Sequence, residues 1–193
     1  TLNAAVLMVY DTIGINFGTT ASADPGATWN DLSGVGLAGG GSSSLGAGTL
    51  SNTTGGTVDG VGFTLANNSS ITTIALGVAG SVGDGLLIDH ASVWADGFRA
   101  DGIGTSTFTY TFTGLNDNLT YDFSTGVGNG NSNFANDVEV GGFSQWIRPN
   151  LAGQDFRQWT DLVTDGSGNL VITQTERNGQ DRIAIVGMTL TAV

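Results

Sequence analysis

The strongest structural signal in the sequence is the stretch Ser106-Thr107-Phe108-Thr109-Tyr110-Thr111-Phe112-Thr113. Aromatic and hydroxyl side chains alternate along it, and successive side chains of a strand point to opposite faces, so the three rings share one face. Leu119, Tyr121 and Phe123 repeat this alternation after the turn-forming residues 114–118. We therefore predict an antiparallel hairpin in which the aromatic side chains of the two strands face each other.

Short strand signals of this kind recur along the chain, separated by clusters of Gly, Asn and Asp. We predict strands over residues 4–10, 13–17, 58–65, 71–78, 86–94, 106–113, 119–125, 138–146, 169–175 and 182–191. The low-complexity residues 33–57 are expected to form a long surface loop or an edge strand with small side chains, and residues 126–133 look similar. About ten short strands without helical periodicity predict an all-β fold, an antiparallel, jelly-roll-like β-sandwich with long Gly-rich loops.

Composition supports one all-β domain. The chain has 193 residues, of which 32 are glycine, and it contains no cysteine, so disulfides cannot contribute. Long-chain helix formers are scarce, while turn-forming residues are abundant. We expect residues 13–193 to form a single sandwich domain, preceded by an apolar strand and hinge at residues 1–12.

The charge of the chain excludes two classes of partner. Its net charge is −12, with five arginines and no lysine, so no basic stripe can bind nucleic acid or an anionic membrane surface. The balance is compatible with neutral glycans, divalent cations, a protein partner or simple solubility. No apolar run approaches the roughly 18 residues that membrane insertion requires. The start at Thr1 is expected to follow removal of a signal peptide, which predicts a secreted, extracellular protein.

Little in the sequence suggests catalysis. The single histidine, His90, follows Asp89 in a predicted strand, and no Gly-x-Ser-x-Gly motif is present. Residues 34–39 match G-x-G-x-x-G, but they lie in a Gly/Ser tract with no helix to follow, so the match arises by chance. Most aspartates adjoin Gly or Asn, where turn formation accounts for them. We predict a protein without enzymatic activity.

Several motifs together resemble small secreted bacterial β-sandwich modules, as found in exosortase-sorted surface proteins and similar to malectin-like and galactose-binding-like jelly rolls. The resemblance is carried by Ile15-Asn16-Phe17-Gly18-Thr19-Thr20, Trp29-Asn30-Asp31-Leu32, Phe112-Thr113-Gly114-Leu115, Leu119-Thr120-Tyr121-Asp122, Asp165-Gly166-Ser167-Gly168-Asn169-Leu170 and Ile185-Val186-Gly187-Met188-Thr189-Leu190. It implies a sandwich fold, secretion and, by analogy, sugar binding. The sequence departs from these modules in carrying the extra apolar residues 4–10.

Sugar binding would require exposed aromatic rings with polar neighbours. The four tryptophans are candidates, and the most polar settings are those of Trp146 with Arg148 and of Trp159 with Arg157. The alternative is that each tryptophan packs in the core or under a loop.

Two further kinds of site are weakly indicated. Asp165, Ser167 and Asn169 alternate like the start of a calcium loop, without the glutamate that completes an EF-hand, and could hold a structural calcium ion. N-glycosylation triplets begin at Asn52, Asn67, Asn68 and Asn118, as expected by chance in so Asn/Ser/Thr-rich a chain.

The apolar segment Ala4, Ala5, Val6, Leu7, Met8, Val9 and Tyr10 must be buried on both faces. It either packs as the first strand of its own sandwich or adds to the sheet of a neighbouring subunit, with Asp11 and Thr12 as the hinge. Strand addition would be head-to-tail and would give an open homopolymer. The sequence thus favours a self-assembling subunit of an extracellular filament, pilus-like appendage or surface coat, with a carbohydrate-binding, lectin-like module as the alternative.

Overall fold

The computed structural model describes residues 12–17, 28–32, 40–75, 96–101, 106–127, 135–148, 156–177 and 182–193. These residues form fourteen strands and no helix, so nothing among them could cross a membrane as a helix. The strands are β1 Thr12–Phe17, β2 Asn30–Leu32, β3 Gly41–Leu45, β4 Gly62–Asn67, β5 Ile71–Ala75, β6 Asp96–Asp101, β7 Thr107–Thr113, β8 Tyr121–Gly126, β9 Asn136–Val140, β10 Phe143–Ile147, β11 Phe156–Leu162, β12 Leu170–Glu176, β13 Arg182–Ile185 and β14 Gly187–Ala192.

The strands form three sheets. The five-stranded sheet has the order β11-β8-β14-β1-β2, the six-stranded sheet β10-β9-β12-β7-β4-β3, and the three-stranded sheet β13-β6-β5. Every pairing is antiparallel except that of β1 with β2. One continuous apolar core lies between the sheets. The predicted antiparallel β-sandwich is therefore confirmed.

The alternation along β7 has the predicted consequence for burial. Phe108, Tyr110 and Phe112 are almost fully buried, while the threonines between them are partly exposed. The predicted hairpin with β8 is wrong, however. β7 pairs with β4 and β12, and β8 pairs with β11 and β14, so the two strands lie in different sheets. Their aromatic side chains enter the same core from its two sides.

The connection between β7 and β8 explains this crossing. Gly114 has a φ of +72°, which turns the chain out of the six-stranded sheet. The amide of Leu115 donates to the carbonyl of Gly168 at 2.9 Å. The Tyr121 hydroxyl accepts from the amide of Asn116 at 2.8 Å and donates to its carbonyl at 3.1 Å. These contacts hold the turn across the end of the sandwich.

Other strand boundaries also differ from the expected ones. The predicted strand 138–146 is two strands, because Gly141 and Gly142 both adopt positive φ, +57° and +82°, and form a tight turn. The predicted strand 182–191 divides at Val186 into β13 and β14, which belong to different sheets. The strands β2, β6 and β11 had not been predicted. Within residues 33–57, the expected small edge strand is β3.

Some sequence predictions fall outside the described residues. These are the assembly segment 4–10, the whole predicted strand 86–94 with Asp89, His90 and Trp94, and the Gly-rich residues 34–39 and 128–133.

The centre of the core is the ring of Phe17 at the end of β1. It lies 6.1 Å from the ring of Phe63 and 5.8 Å from that of Tyr110, both in the six-stranded sheet. The ring of Phe98, in the three-stranded sheet, is 5.7 Å away in an edge-on arrangement. Phe17 itself belongs to the five-stranded sheet, so one side chain contacts all three.

We expect Phe17→Ala to lower the free energy of unfolding by about 3–5 kcal/mol, because it removes a fully buried ring and leaves a cavity between three sheets. Urea denaturation followed by tryptophan fluorescence measures this loss. The matched control is Phe143→Ala, since Phe143 is 70% exposed and its removal should cost little. Equal effects of the two substitutions would contradict the central position of Phe17.

Candidate functional site

The edges of the two large sheets meet along β10 and β11. The side-chain amide of Gln145 on β10 donates to the carbonyl of Gln158 on β11 at 2.7 Å. The indole N–H of Trp159 on β11 donates to the carbonyl of Phe143 on β10 at 3.1 Å. These two hydrogen bonds, between strands of different sheets, fix the separation of the edges.

A cleft of about 470 Å³ opens between these edges. The aromatic ring of Phe143 is 70% exposed, whereas that of Trp159 is only 4% exposed and packs 5.5 Å from Phe123 in the core. Phe143 is therefore available to a ligand, and Trp159 is fixed by the core and by its own hydrogen bond. The cleft is lined by Gly142, Phe143, Ser144, Gln145, Gln158, Trp159, Thr160 and Leu162.

A β-bulge in β11 shapes one wall of the cleft. The pairing of β11 with β8 shifts between Trp159 and Leu162, and Asp161 has a φ of +56°, the only non-glycine residue with positive φ in the described ranges. Its amide donates to the Asp122 carboxylate at 3.2 Å. The extra residue turns both Trp159 and Leu162 inward and leaves Thr160 exposed at the cleft.

The lining of the cleft suits a neutral, hydroxyl-rich molecule. It offers an exposed aromatic ring, the side-chain amides of Gln145 and Gln158, and the hydroxyls of Ser144 and Thr160. None of the described residues that line it is charged. Its volume is within the range of about 300–1,000 Å³ that small-molecule sites occupy.

The structure separates the four residues that the sequence suggested for glycan contact. Trp159 lies beneath the cleft as its floor. Arg157 precedes it on β11, where its guanidinium donates to the carbonyl of Phe156 at 2.7 Å. Trp146 and Arg148 lie elsewhere, because Trp146 is paired with Asp137 on the outer face of the six-stranded sheet.

Sequence reasoning missed Phe143, the most exposed large apolar side chain of the described residues. The available signal was the pair Gly141-Gly142, which predicts a two-residue hairpin turn and would have placed Phe143 at the start of a new strand. Of the remaining tryptophans, Trp29 is 7% exposed and packs over Gly14. Trp94 lies outside the described residues.

The three calcium candidates form a tight turn. The Asp165 carboxylate accepts from the amides of Ser167 at 2.9 Å and Asn169 at 3.1 Å, and from the Asn169 side-chain amide at 2.9 Å. Gly166 and Gly168 complete the turn with positive φ. This bonding accounts for the alternation of Asp, Ser and Asn. No cluster of three or more His, Asp or Glu side chains suited to a metal ion occurs among the described residues, and calcium binding stays a prediction.

The hydrogen bonds to Asp165, above all that from the Asn169 side chain, lower the pKa of its carboxyl in the folded chain. A carboxyl with a lowered folded pKa stabilises the fold above its unfolded pKa, and this contribution is lost as the pH falls through the folded value. We therefore expect a small loss of stability below about pH 4 that Asp165→Asn does not show. Denaturation of both proteins between neutral and acidic pH measures it, and parallel curves would contradict it.

The four asparagines of the glycosylation triplets all make structural hydrogen bonds. Asn52 is only 8% exposed, and its side chain accepts from the amide of Gly56 at 2.7 Å, so it is closed to a glycosyltransferase in the folded chain. Asn67 bonds to Ser69 and Gly41, Asn68 accepts from Thr107, and Asn118 bonds to Asn116. Only Asn68 and Asn118 are exposed.

The sequence matches no protein-family model and no curated protein. Among solved structures, the YXIM protein of Bacillus subtilis is 14% identical with a TM-score of 0.46, over 94% of this chain and 40% of that one. A family 35 carbohydrate binding module from Clostridium thermocellum is 15% identical with a TM-score of 0.38, over 65% and 93% of the two chains. The CBM36-1 domain of a multidomain xylanase from the hindgut metagenome of Trinervitermes trinervoides is 21% identical with a TM-score of 0.36, over 64% and 98%.

This chain thus spans less than half of the length of the Bacillus protein. The matches to the two modules cover about two thirds of this chain. Likenesses this distant carry no argument about ligand or activity.

Proposed function

We propose that this chain is a non-enzymatic, extracellular carbohydrate-binding module that holds a sugar ring against Phe143 in the cleft between β10 and β11. The observation that supports this most strongly is the 70% exposure of the Phe143 ring at a cleft of about 470 Å³ with polar walls. Leaving a large apolar side chain in water forgoes about 1.5–3 kcal/mol of burial energy, which a ligand can recover.

A sugar ring matches the two kinds of surface in this cleft. Its C–H face is apolar and packs on an aromatic ring, while its hydroxyl groups both donate and accept hydrogen bonds. The amides of Gln145 and Gln158 and the hydroxyls of Ser144 and Thr160 can do the same. A neutral lining imposes no charge requirement on the bound sugar ring.

The cleft is also rigid before a ligand enters. The hydrogen bonds from Gln145 to Gln158 and from Trp159 to Phe143 join its two walls, and Trp159 is packed into the core. A site that is already ordered loses less conformational entropy on binding. A preorganised cleft of this kind favours binding of a glycan without rearrangement of the two strands.

We expect Phe143→Ala to weaken glycan binding by about tenfold or more, because it removes the only exposed aromatic ring among the described residues that line the cleft. Phe143→Trp should bind at least as well as the natural protein, since it keeps the aromatic surface. A glycan array identifies a ligand, and isothermal titration calorimetry compares the variants.

The matched control for this experiment is Val171→Ala. Val171 is 46% exposed, on the outer face of the same sheet, and does not line the cleft. Its substitution should leave binding unchanged. Equal affinities for the natural protein and Phe143→Ala would remove the cleft as the sugar site.

The self-assembly hypothesis rests on residues 4–10, which lie outside the described residues, so it stays a prediction. Electron microscopy of the concentrated full chain would show filaments if these residues add to a neighbouring sheet. A chain lacking residues 1–11 is the comparison, and should remain dispersed. Dispersed particles from the full chain would contradict the hypothesis without affecting the cleft.

A further inference from the structure

A second group of side chains lies beside the cleft, on the outer face of the six-stranded sheet. Trp146 on β10 is paired with Asp137 on β9, and Asp137 is paired in turn with Thr175 on β12. The backbone amide of Arg177, two residues beyond Thr175, donates to the carbonyl of Ala135 at 3.2 Å. Alternation along the strands therefore places Arg177 on the same face as Trp146.

Two guanidinium groups meet over the Trp146 ring. The Cζ of Arg177 lies 4.7 Å from the ring centroid and that of Arg148 lies 5.8 Å from it, both within the range of cation–π attraction. Arg177 also forms an ion pair with Asp137 at 3.1 Å. No carboxylate among the described residues lies within 4.0 Å of Arg148.

This arrangement brings two of the few cationic side chains of an acidic protein to one aromatic ring. The chain has only five cationic side chains against 17 acidic ones, yet two of the five face one ring. The same face also carries two carboxylates, Asp137, which pairs with Arg177, and the exposed Glu139, which is paired with Ser144. Arg148 forms no ion pair with either of them. The exposure of Arg177 and Asp137, 46% and 38%, keeps the pair accessible from solvent.

The group is continuous with the cleft through Ser144. This residue lines the cleft, and because it precedes Trp146 by two positions on β10, both point to the same face. Their Cα atoms are thus about 7 Å apart along the strand. Phe143 points to the opposite, inner face of β10, where it is paired with Val140, so one extended ligand would have to pass over the edge of β10 beside Ser144 to contact both the Phe143 ring and the two arginines.

We propose that Trp146, Arg148 and Arg177 bind the anionic group of an acidic polysaccharide, a carboxylate or a sulfate ester, while another sugar of the same polymer occupies the Phe143 cleft. The inference rests on the proposed sugar-binding function and adds the charge of the ligand to it. A planar guanidinium donates two parallel hydrogen bonds to such a group, and the aromatic ring supports the adjoining sugar.

The test uses polymers that differ only in charge. Polygalacturonate and its methyl ester share one backbone, as do dextran sulfate and dextran, so the two pairs also distinguish carboxylate from sulfate. We expect the charged member of at least one pair to bind on the order of tenfold more tightly, since hydrogen bonds to charged groups are strong. Raising salt from about 0.1 M to 1 M should remove most of this difference.

Arg148→Gln should abolish the preference for the charged polymer, and Arg148→Lys should retain part of it, because lysine keeps the charge but loses the planar fork. The control is Arg99→Gln, which removes the same charge from β6 in the three-stranded sheet. It should leave the preference for the charged polymer unchanged. Thermal melts of all variants establish that they are folded.

The possible results separate this inference from the proposed function. Equal binding of charged and neutral polymers, or a preference that survives Arg148→Gln, overturns the role of the arginines and leaves the cleft intact. If the preference is lost in Arg148→Gln and the affinity for the charged polymer is unchanged in Phe143→Ala, the arginine site is supported and the cleft is overturned. If no polymer or arrayed glycan binds, both proposals fail.

Discussion

The packing of the Phe17 ring determines how the three sheets of this molecule are placed relative to one another. The ring projects from the five-stranded sheet and contacts aromatic side chains of both other sheets. Interiors are packed as densely as organic crystals, so a shift of one sheet at this point would open a void against the others. The two outer strands that form the cleft are joined to each other by their own hydrogen bonds, from Gln145 to Gln158 and from Trp159 to Phe143.

A buried hydrogen-bond network also joins strands of the six-stranded and three-stranded sheets. The Tyr110 hydroxyl lies 2.5 Å from the side-chain carbonyl of Gln174, whose amide donates to Asn136 at 2.6 Å and to the carbonyl of Ala184 at 2.8 Å. Burial raises the pKa of Tyr110, so its hydroxyl stays protonated and can donate. Because a buried polar group without a partner is costly, the network fixes the register of β9, β12 and β7 and holds β13 of the three-stranded sheet against them.

The sequence predicts which face of a strand is buried better than which strands pair. Alternation correctly placed Phe108, Tyr110 and Phe112 in the core, because that depends on neighbouring residues only. It gave β7 the wrong partner, since pairing depends on contacts such as that of Leu115 with Gly168, which are distant in sequence. The site was harder still. Phe143 differs from a core phenylalanine only through the turn before it and the edge position of its strand.

The order of the strands has a consequence for how copies of this protein could meet. Each large sheet has two borders, and β10 and β11 form one side of the sandwich while β2 and β3 lie next to each other on the opposite side. The backbone carbonyls of Phe143 and Gln158 already accept side-chain hydrogen bonds. These carbonyls on β10 and β11 are therefore not available to pair with an added strand. If residues 4–10 add to a neighbouring subunit as predicted, the borders of the large sheets that remain for them among the described strands are β2 and β3. In that case the growth of a fibre and the proposed capture of a glycan would occupy separate sides of each subunit.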